Sequence, residues 1–112
     1  MAKPKGFDTE HLSGKAREIA DSIVALLTER LEGPPDGGGC RAFYSTKEWK
    51  ERGEEYGSTS VLVLVHDGGD LAMYCNWDYD CPTAVEALRV RLEKLGYYVE
   101  QCTSFYSAVY PF

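Results

Sequence analysis

The chain has 112 residues, enough for one domain over 1–112, and its 44 % hydrophobic and 27 % charged residues are ordinary for a folded protein. Its net charge of −6 argues against unaided binding to nucleic-acid phosphates, which requires clustered Lys and Arg. It contains no apolar run of membrane-spanning length and no export signal, so a cytoplasmic protein without membrane contact or cofactor is expected.

The N-terminal third predicts a disordered tail over 1–7 and then a helix over 13–32. Leu12, Ala16, Ile19, Ile23 and Leu27 recur at spacings of three and four and form one apolar stripe. Gly33 is predicted to end the helix in the left-handed conformation that glycine accepts readily. Residues 33–39 are rich in Gly and Pro and predict a flexible loop.

Three strands are predicted next, over 41–45, 58–66 and 71–77. The segment 67–70 has the sequence Asp-Gly-Gly-Asp, which predicts a hairpin turn joining the second and third strands. A second helix is predicted over 82–95, with Pro82 in its first turn, Thr83 and Glu86 as a capping box, and Gly96 at its end. A last strand is predicted over 97–105.

The predicted element order is α-β-β-β-α-β, which favours a two-layer α+β sandwich. It would have a mainly antiparallel four-stranded sheet with two helices on one face. Two helices cover only one sheet face, whereas several strands are apolar on both, so the C-terminal tail or another chain should cover the second face. The aromatic residues expected to form this oligomer or partner face are Tyr97, Tyr98, Phe105, Tyr106, Tyr110 and Phe112.

A long acidic stretch is the one feature that indicates a function. Residues 53–88 contain no Lys or Arg but seven Asp or Glu, together with Trp77 and Tyr79. Such a surface attracts cationic partners. The leading hypothesis is a small non-enzymatic module that binds a basic protein, in the manner of phage-type inhibitors that imitate nucleic acid. The predicted contacts are Glu54, Glu55, Trp77, Asp78, Tyr79 and Asp80.

Two alternatives come from other classes of protein. The first is a homo-oligomeric accessory protein that buries its aromatic sheet face against a second copy. The other is a small enzyme that uses His66 with Cys75 or Cys81. The four cysteines are expected to be reduced and to bind no metal, because Cys75 and Cys81 lack the tight spacing of structural zinc ligands.

Overall fold

The computed structural model describes residues 6–36, 41–53 and 59–112. The predicted α+β class is confirmed, although the predicted element order is wrong. None of the helices in the described part of the chain is long and apolar enough to cross a bilayer. The elements in chain order are α1 (Gly14–Leu31), β1 (Phe43–Tyr44), α2 (Thr46–Glu51), β2 (Leu62–Val65), α3 (Ala72–Cys75), a 3-10 helix (Trp77–Tyr79), α4 (Pro82–Leu95), β3 (Tyr97–Gln101) and β4 (Tyr106–Pro111).

The four described strands form one antiparallel sheet in the order β1-β2-β4-β3. Val109 of β4 lies opposite Leu62 of β2 on one side and opposite Val99 of β3 on the other. Directly opposed side chains share a face of the sheet. This face packs against α1 and α4, which confirms the predicted antiparallel sheet with two helices on one face. The core between these layers includes Ile19, Ile23, Leu27, Phe43, Leu62, Leu64, Leu88, Leu92 and Val109.

The two long helices lie where the apolar periodicity predicts them. The predicted ranges 13–32 and 82–95 correspond to Gly14–Leu31 and Pro82–Leu95. Details of the ends differ. Glu32, rather than Gly33, adopts the left-handed conformation, with φ of 57°. The capping box predicted at Thr83 and Glu86 is absent, because Cys81 occupies the N-cap position and Glu86 instead pairs with Arg89.

The predicted hairpin at 67–70 is wrong. Gly68 and Gly69 do turn the chain, with φ of 101° and 76°. The carboxylate of Asp70 then accepts the backbone N–H of Asp36 at 2.7 Å, and the N–H of Asp70 donates to the carbonyl of Asp36 at 2.8 Å. These bonds tie the turn to the segment that follows α1, so the chain does not return alongside β2.

The predicted strand over 71–77 is a helix instead. Its apolar residues satisfy both periods: Leu71, Met73 and Cys75 alternate as in a strand, while Leu71, Tyr74 and Cys75 have the i, i+3, i+4 spacing of a helix. In the structure Leu71, Tyr74 and Cys75 are buried, whereas Met73 is 39 % exposed. The helical pattern prevails because β4 occupies the place beside β2 that a hairpin strand would have taken.

The C-terminal tail is an inner strand of the sheet, so the prediction that the whole aromatic segment forms a partner face is wrong. β4 lies between β2 and β3. Tyr106 is 2 % exposed and belongs to the core, and Phe105 packs partly buried against it. Tyr97 is partly buried on the helix-covered face. Tyr98 and Phe112 are exposed, and Tyr110 is partly buried between strands on the face away from α1 and α4.

The second sheet face is covered by α2. Its single buried residue, Trp49, has no exposed surface and lies on Val63 of β2 and Tyr106 of β4. The ring of Trp49 is 4.9 Å from that of Tyr106 and 5.2 Å from that of Tyr44. Ser45 and Glu48 form a reciprocal capping box that starts this short helix. Helix α2 therefore covers part of the second sheet face, which the sequence analysis expects the C-terminal tail or another chain to cover.

Two segments predicted to lack order are partly held in place. Phe7 was expected in a disordered tail over 1–7, but it is 3 % exposed and packs edge-on against Phe43 at 5.7 Å. In the loop predicted over 33–39, Pro35 is buried and Asp36 is bonded to Asp70. Residues 1–5 and 37–39 lie outside the described residues.

Candidate functional site

A short turn before α4 displays two aromatic rings to solvent. Trp77 is 64 % exposed and Tyr79 is 53 % exposed, and Asp78 and Asp80 are exposed beside them. We call residues 77–80 the aromatic turn. Asp80 ends it in the left-handed conformation, with φ of 51°. The structure thus brings four of the six predicted binding residues onto one turn, while Glu54 and Glu55 lie outside the described residues.

A hydrogen-bond network anchors the aromatic turn to the sheet. The side-chain oxygen of Asn76 accepts the backbone N–H of Asp78 at 2.9 Å, and the Asn76 amide donates to the carbonyl of Ser104 at 3.0 Å. Gln101 of β3 accepts the N–H of Trp77 at 3.2 Å and donates to Asn76 at 3.2 Å. Asn76 is only 6 % exposed. Because these bonds hold the backbone, the two exposed rings project from a rigid base.

The two carboxylates of the aromatic turn differ from Glu86 of the same acidic stretch in their pairing. In the part of the chain that the structure describes, neither Asp78 nor Asp80 forms an ion pair. Arg89, just beyond the stretch, pairs with Glu86, and this hydrogen bond lowers the pKa of Glu86. The aromatic turn therefore offers two exposed negative charges beside its two exposed rings.

A groove of about 740 Å³ runs beside the aromatic turn, between α1 and α4. Its apolar surface comes from Trp77, Leu26 of α1, and Ala87 and Val90 of α4; Val90 is 37 % exposed. Glu86 lines it near the turn, and Arg91 and Lys94 line it toward the end of α4. We call this the α1–α4 groove; eight of its nine lining residues lie within 77–94, and Leu26 of α1 is the ninth.

Three residues of the predicted aromatic face lie together at one edge of the sheet. Tyr98 on β3 lies opposite Tyr110 on β4, with ring centroids 5.6 Å apart in a stacked arrangement. The ring of Phe112 is 5.5 Å from that of Tyr98 and is 76 % exposed. We call these three residues the aromatic ledge. It is on the opposite sheet face from α1 and α4, so the ledge and the α1–α4 groove are separate surfaces.

Two residues of the enzymatic alternative, His66 and Cys75, meet in the interior, whereas the thiol of Cys81 lies beside Thr83 at the start of α4. His66 Nε2 lies 2.8 Å from the hydroxyl oxygen of Ser107, and the same hydroxyl is hydrogen-bonded to the thiol of Cys75. Burial raises the pKa of Cys75 to about 12, a change that the bond to Ser107 offsets only in part. The thiol therefore stays protonated at neutral pH, which does not favour Cys75 as a nucleophile. Sequence reasoning missed Ser107, which carries no motif.

His66 should make stability depend on pH. The residue is 1 % exposed, and burial lowers its pKa below the usual 6.5, since the charged ring would lose its hydration. The unfolded chain then binds the proton more readily. We expect the free energy of unfolding to be constant above pH 6.5 and to fall as the pH drops below it, by at most about 1.4 kcal/mol per pH unit. Urea titrations between pH 7.5 and 5 measure this slope.

The variant that tests this assignment is His66→Gln, which removes the buried ring and should flatten the slope. A slope that survives in His66→Gln would assign the titration to another group.

Three cysteines in the described part of the chain, Cys75, Cys81 and Cys102, are free, and Cys40 lies outside it. The same residues contain no cluster of three or more His, Cys, Asp or Glu side chains arranged to hold a metal ion.

Comparison with protein-family models gave no match, and comparisons with curated proteins and with solved structures gave no significant match.

Proposed function

We propose that this protein is a small binding module that presents the aromatic turn to a basic protein partner. The observation that carries the proposal is the exposure of Trp77 and Tyr79 on an anchored turn, beside Asp78 and Asp80, which form no ion pair with any described residue. The exposed part of a large aromatic ring adds little to the stability of a monomer, since only apolar area removed from water stabilises the fold. Trp and Tyr dominate the binding energy of many protein interfaces, because they bury much area and keep a polar tip.

The two kinds of side chain have different tasks in this proposal. The carboxylates attract a cationic surface and speed the encounter, and the rings slow dissociation once they are desolvated. Proteins that handle nucleic acid carry basic surfaces suited to this chemistry, and they are the partner class to examine first. The activity requires no catalytic group.

The test compares the wild-type protein and its variants in how they capture the partner and how fast they bind and release it. Asp78→Asn with Asp80→Asn removes two charges and nearly preserves shape, and Asn accepts the left-handed conformation of Asp80. We expect capture of the partner from host lysate to become less salt-dependent, and its association rate to fall roughly three- to tenfold at low salt. Trp77→Ala should instead speed dissociation about thirtyfold, as for a hot spot worth about 2 kcal/mol.

A charge-matched control separates a local effect from the effect of net charge. Glu32→Gln with Glu51→Gln also removes two exposed carboxylates, but away from the aromatic turn. It should bind with nearly wild-type kinetics. Equal association rates and equal salt dependence for the wild type, the double Asn variant and the double Gln control would refute the proposed role of the aromatic turn.

Self-association is the second candidate, and the aromatic ledge favours it. Tyr98 lies on β3, which is an edge strand of the described sheet. Edge strands with exposed apolar side chains pair readily with other chains. Sedimentation velocity distinguishes the two candidates: a dimer that Tyr98→Lys dissociates would support self-association, whereas a monomer at high concentration would leave the aromatic turn as the binding surface.

A further inference from the structure

Charges of opposite sign lie near the two ends of the α1–α4 groove. Its lining residues Thr83, Ala87, Val90 and Lys94 recur every three or four positions, so they follow one face of α4. The span from Thr83 to Lys94 is about 16 Å at the helical rise of 1.5 Å per residue. The aromatic turn, with Asp78 and Asp80, lies at the start of this face.

The positive end of the groove is formed by Arg91 and Lys94, which differ in their pairing. Arg91 is occupied: it donates to Glu29 at 2.8 Å and thereby ties α4 to α1. Lys94 is exposed and forms no ion pair with any residue that the structure describes. The groove therefore has an apolar middle and Lys94 at one end. At its other end lies Trp77, whose turn also carries Asp78 and Asp80, although these two carboxylates do not line the groove.

We propose that the α1–α4 groove binds an amphipathic helix of about three turns, oriented antiparallel to α4. This inference rests on the proposed function, since the same partner would contact the aromatic turn. Protein helices favour acidic residues in their first turn and basic residues in their last. A helix placed with its acidic N-terminus at Lys94 and its basic C-terminus at Asp78 and Asp80 matches both ends of the groove.

The apolar stripe of that helix would rest on the middle of the groove. Val90 and Ala87 supply the surface on α4, Leu26 the surface on α1, and the Trp77 ring closes the end opposite Lys94. Helix-in-groove recognition uses side chains at i, i+3, i+4 and i+7, which one face of a three-turn helix provides. The groove is open along its length, which suits a helix better than an enclosed small molecule.

The test is a selection from a displayed library of random 16-residue peptides on the immobilised full-length protein. We expect the recovered peptides to share an apolar helical stripe, with Asp or Glu toward the N-terminus and Lys or Arg toward the C-terminus. Each peptide is then synthesised and titrated calorimetrically against wild type and variants. Val90→Glu should weaken binding at least tenfold, and Lys94→Glu should weaken it several-fold.

Met73→Glu is the matched control for Val90→Glu. Met73 has similar exposure, 39 % against 37 %, but it does not line the groove, so peptide affinity should be unchanged. Thermal unfolding of both variants verifies that each is folded. Peptides that bind Val90→Glu as well as wild type, peptides with the opposite charge order, and failure to recover any peptide would each overturn the inference.

The variants also separate this inference from the proposed function. If affinity falls in the Asp78→Asn, Asp80→Asn protein but not in Val90→Glu, the aromatic turn binds a partner and the groove does not. If it falls in Val90→Glu but not in the double Asn protein, Asp78 and Asp80 play no part. That result would overturn the helix orientation, whereas the proposed function is decided separately by the association rate of the basic partner.

Discussion

Replacing Trp49 with alanine should lower the free energy of unfolding by about 3–5 kcal/mol, a large fraction of the stability of a domain of this size. Trp49 has no exposed surface, and its ring contacts those of Tyr44 and Tyr106. It is the only buried residue of α2, so its loss also releases this helix from the second sheet face. Urea unfolding followed by circular dichroism measures the change without relying on tryptophan fluorescence.

Trp77→Ala is the matched comparison, since it makes the same change at a residue that is 64 % exposed. We expect it to change stability by no more than about 0.5 kcal/mol. This result would also show that binding data for Trp77→Ala report on the surface rather than on the fold. Equal losses of stability in the two variants would contradict the assignment of one tryptophan to the core and the other to the aromatic turn.

Deleting residues 106–112 should abolish cooperative folding. β4 is paired along its length with both neighbours, from Leu62↔Val109 to Val65↔Tyr106 on one side and from Tyr97↔Pro111 to Gln101↔Ser107 on the other. Its removal leaves β2 and β3 with unpaired backbone groups in the centre of the sheet and takes Tyr106 and Val109 from the core. The truncated protein should show no thermal unfolding transition and poor dispersion of its amide NMR signals.

The control for the deletion is Phe112→Ala. Phe112 is 76 % exposed and contacts the aromatic ledge through Tyr98, so its truncation should leave the melting temperature within a few degrees of wild type. A truncated protein that melts cooperatively near the wild-type temperature would show that the C-terminal strand is dispensable. In that case the tail would be a surface segment, as the sequence suggested.

The aromatic turn illustrates how far local sequence carries a functional prediction. The absence of Lys and Arg over 53–88 and the cluster of Trp77, Asp78, Tyr79 and Asp80 are visible in the sequence. The burial of Trp77 is not visible in the sequence, because its alternation with Leu71 and Cys75 predicted a strand with all three residues on one face. Its exposure follows from the α3 and 3-10 geometry, which breaks that alternation.

The pairing of Glu86 depended on the helical conformation of α4, which places residues three apart on the same side. Glu86 belongs to the acidic stretch in the sequence, yet Arg89 neutralises it one helical turn away. The α1–α4 groove requires Leu26 and Val90, which are far apart in the chain. The contribution of Leu26 is invisible to any pattern that reads neighbouring residues, because the two chain segments have independent periodicities.

The sequence by itself determined α1 and α4, because the 3.6-residue apolar repeat of a long amphipathic helix is a local property that many residues support together. It also determined that the protein is an antiparallel α+β domain. The tertiary structure alone decided the identity of the fourth strand, since 71–77 and 106–111 both carry strand-compatible apolar residues and only one can lie beside β2. It likewise decided which tryptophan enters the core: Trp49 faces a sheet surface that needs cover, whereas Trp77 lies on a turn outside both layers.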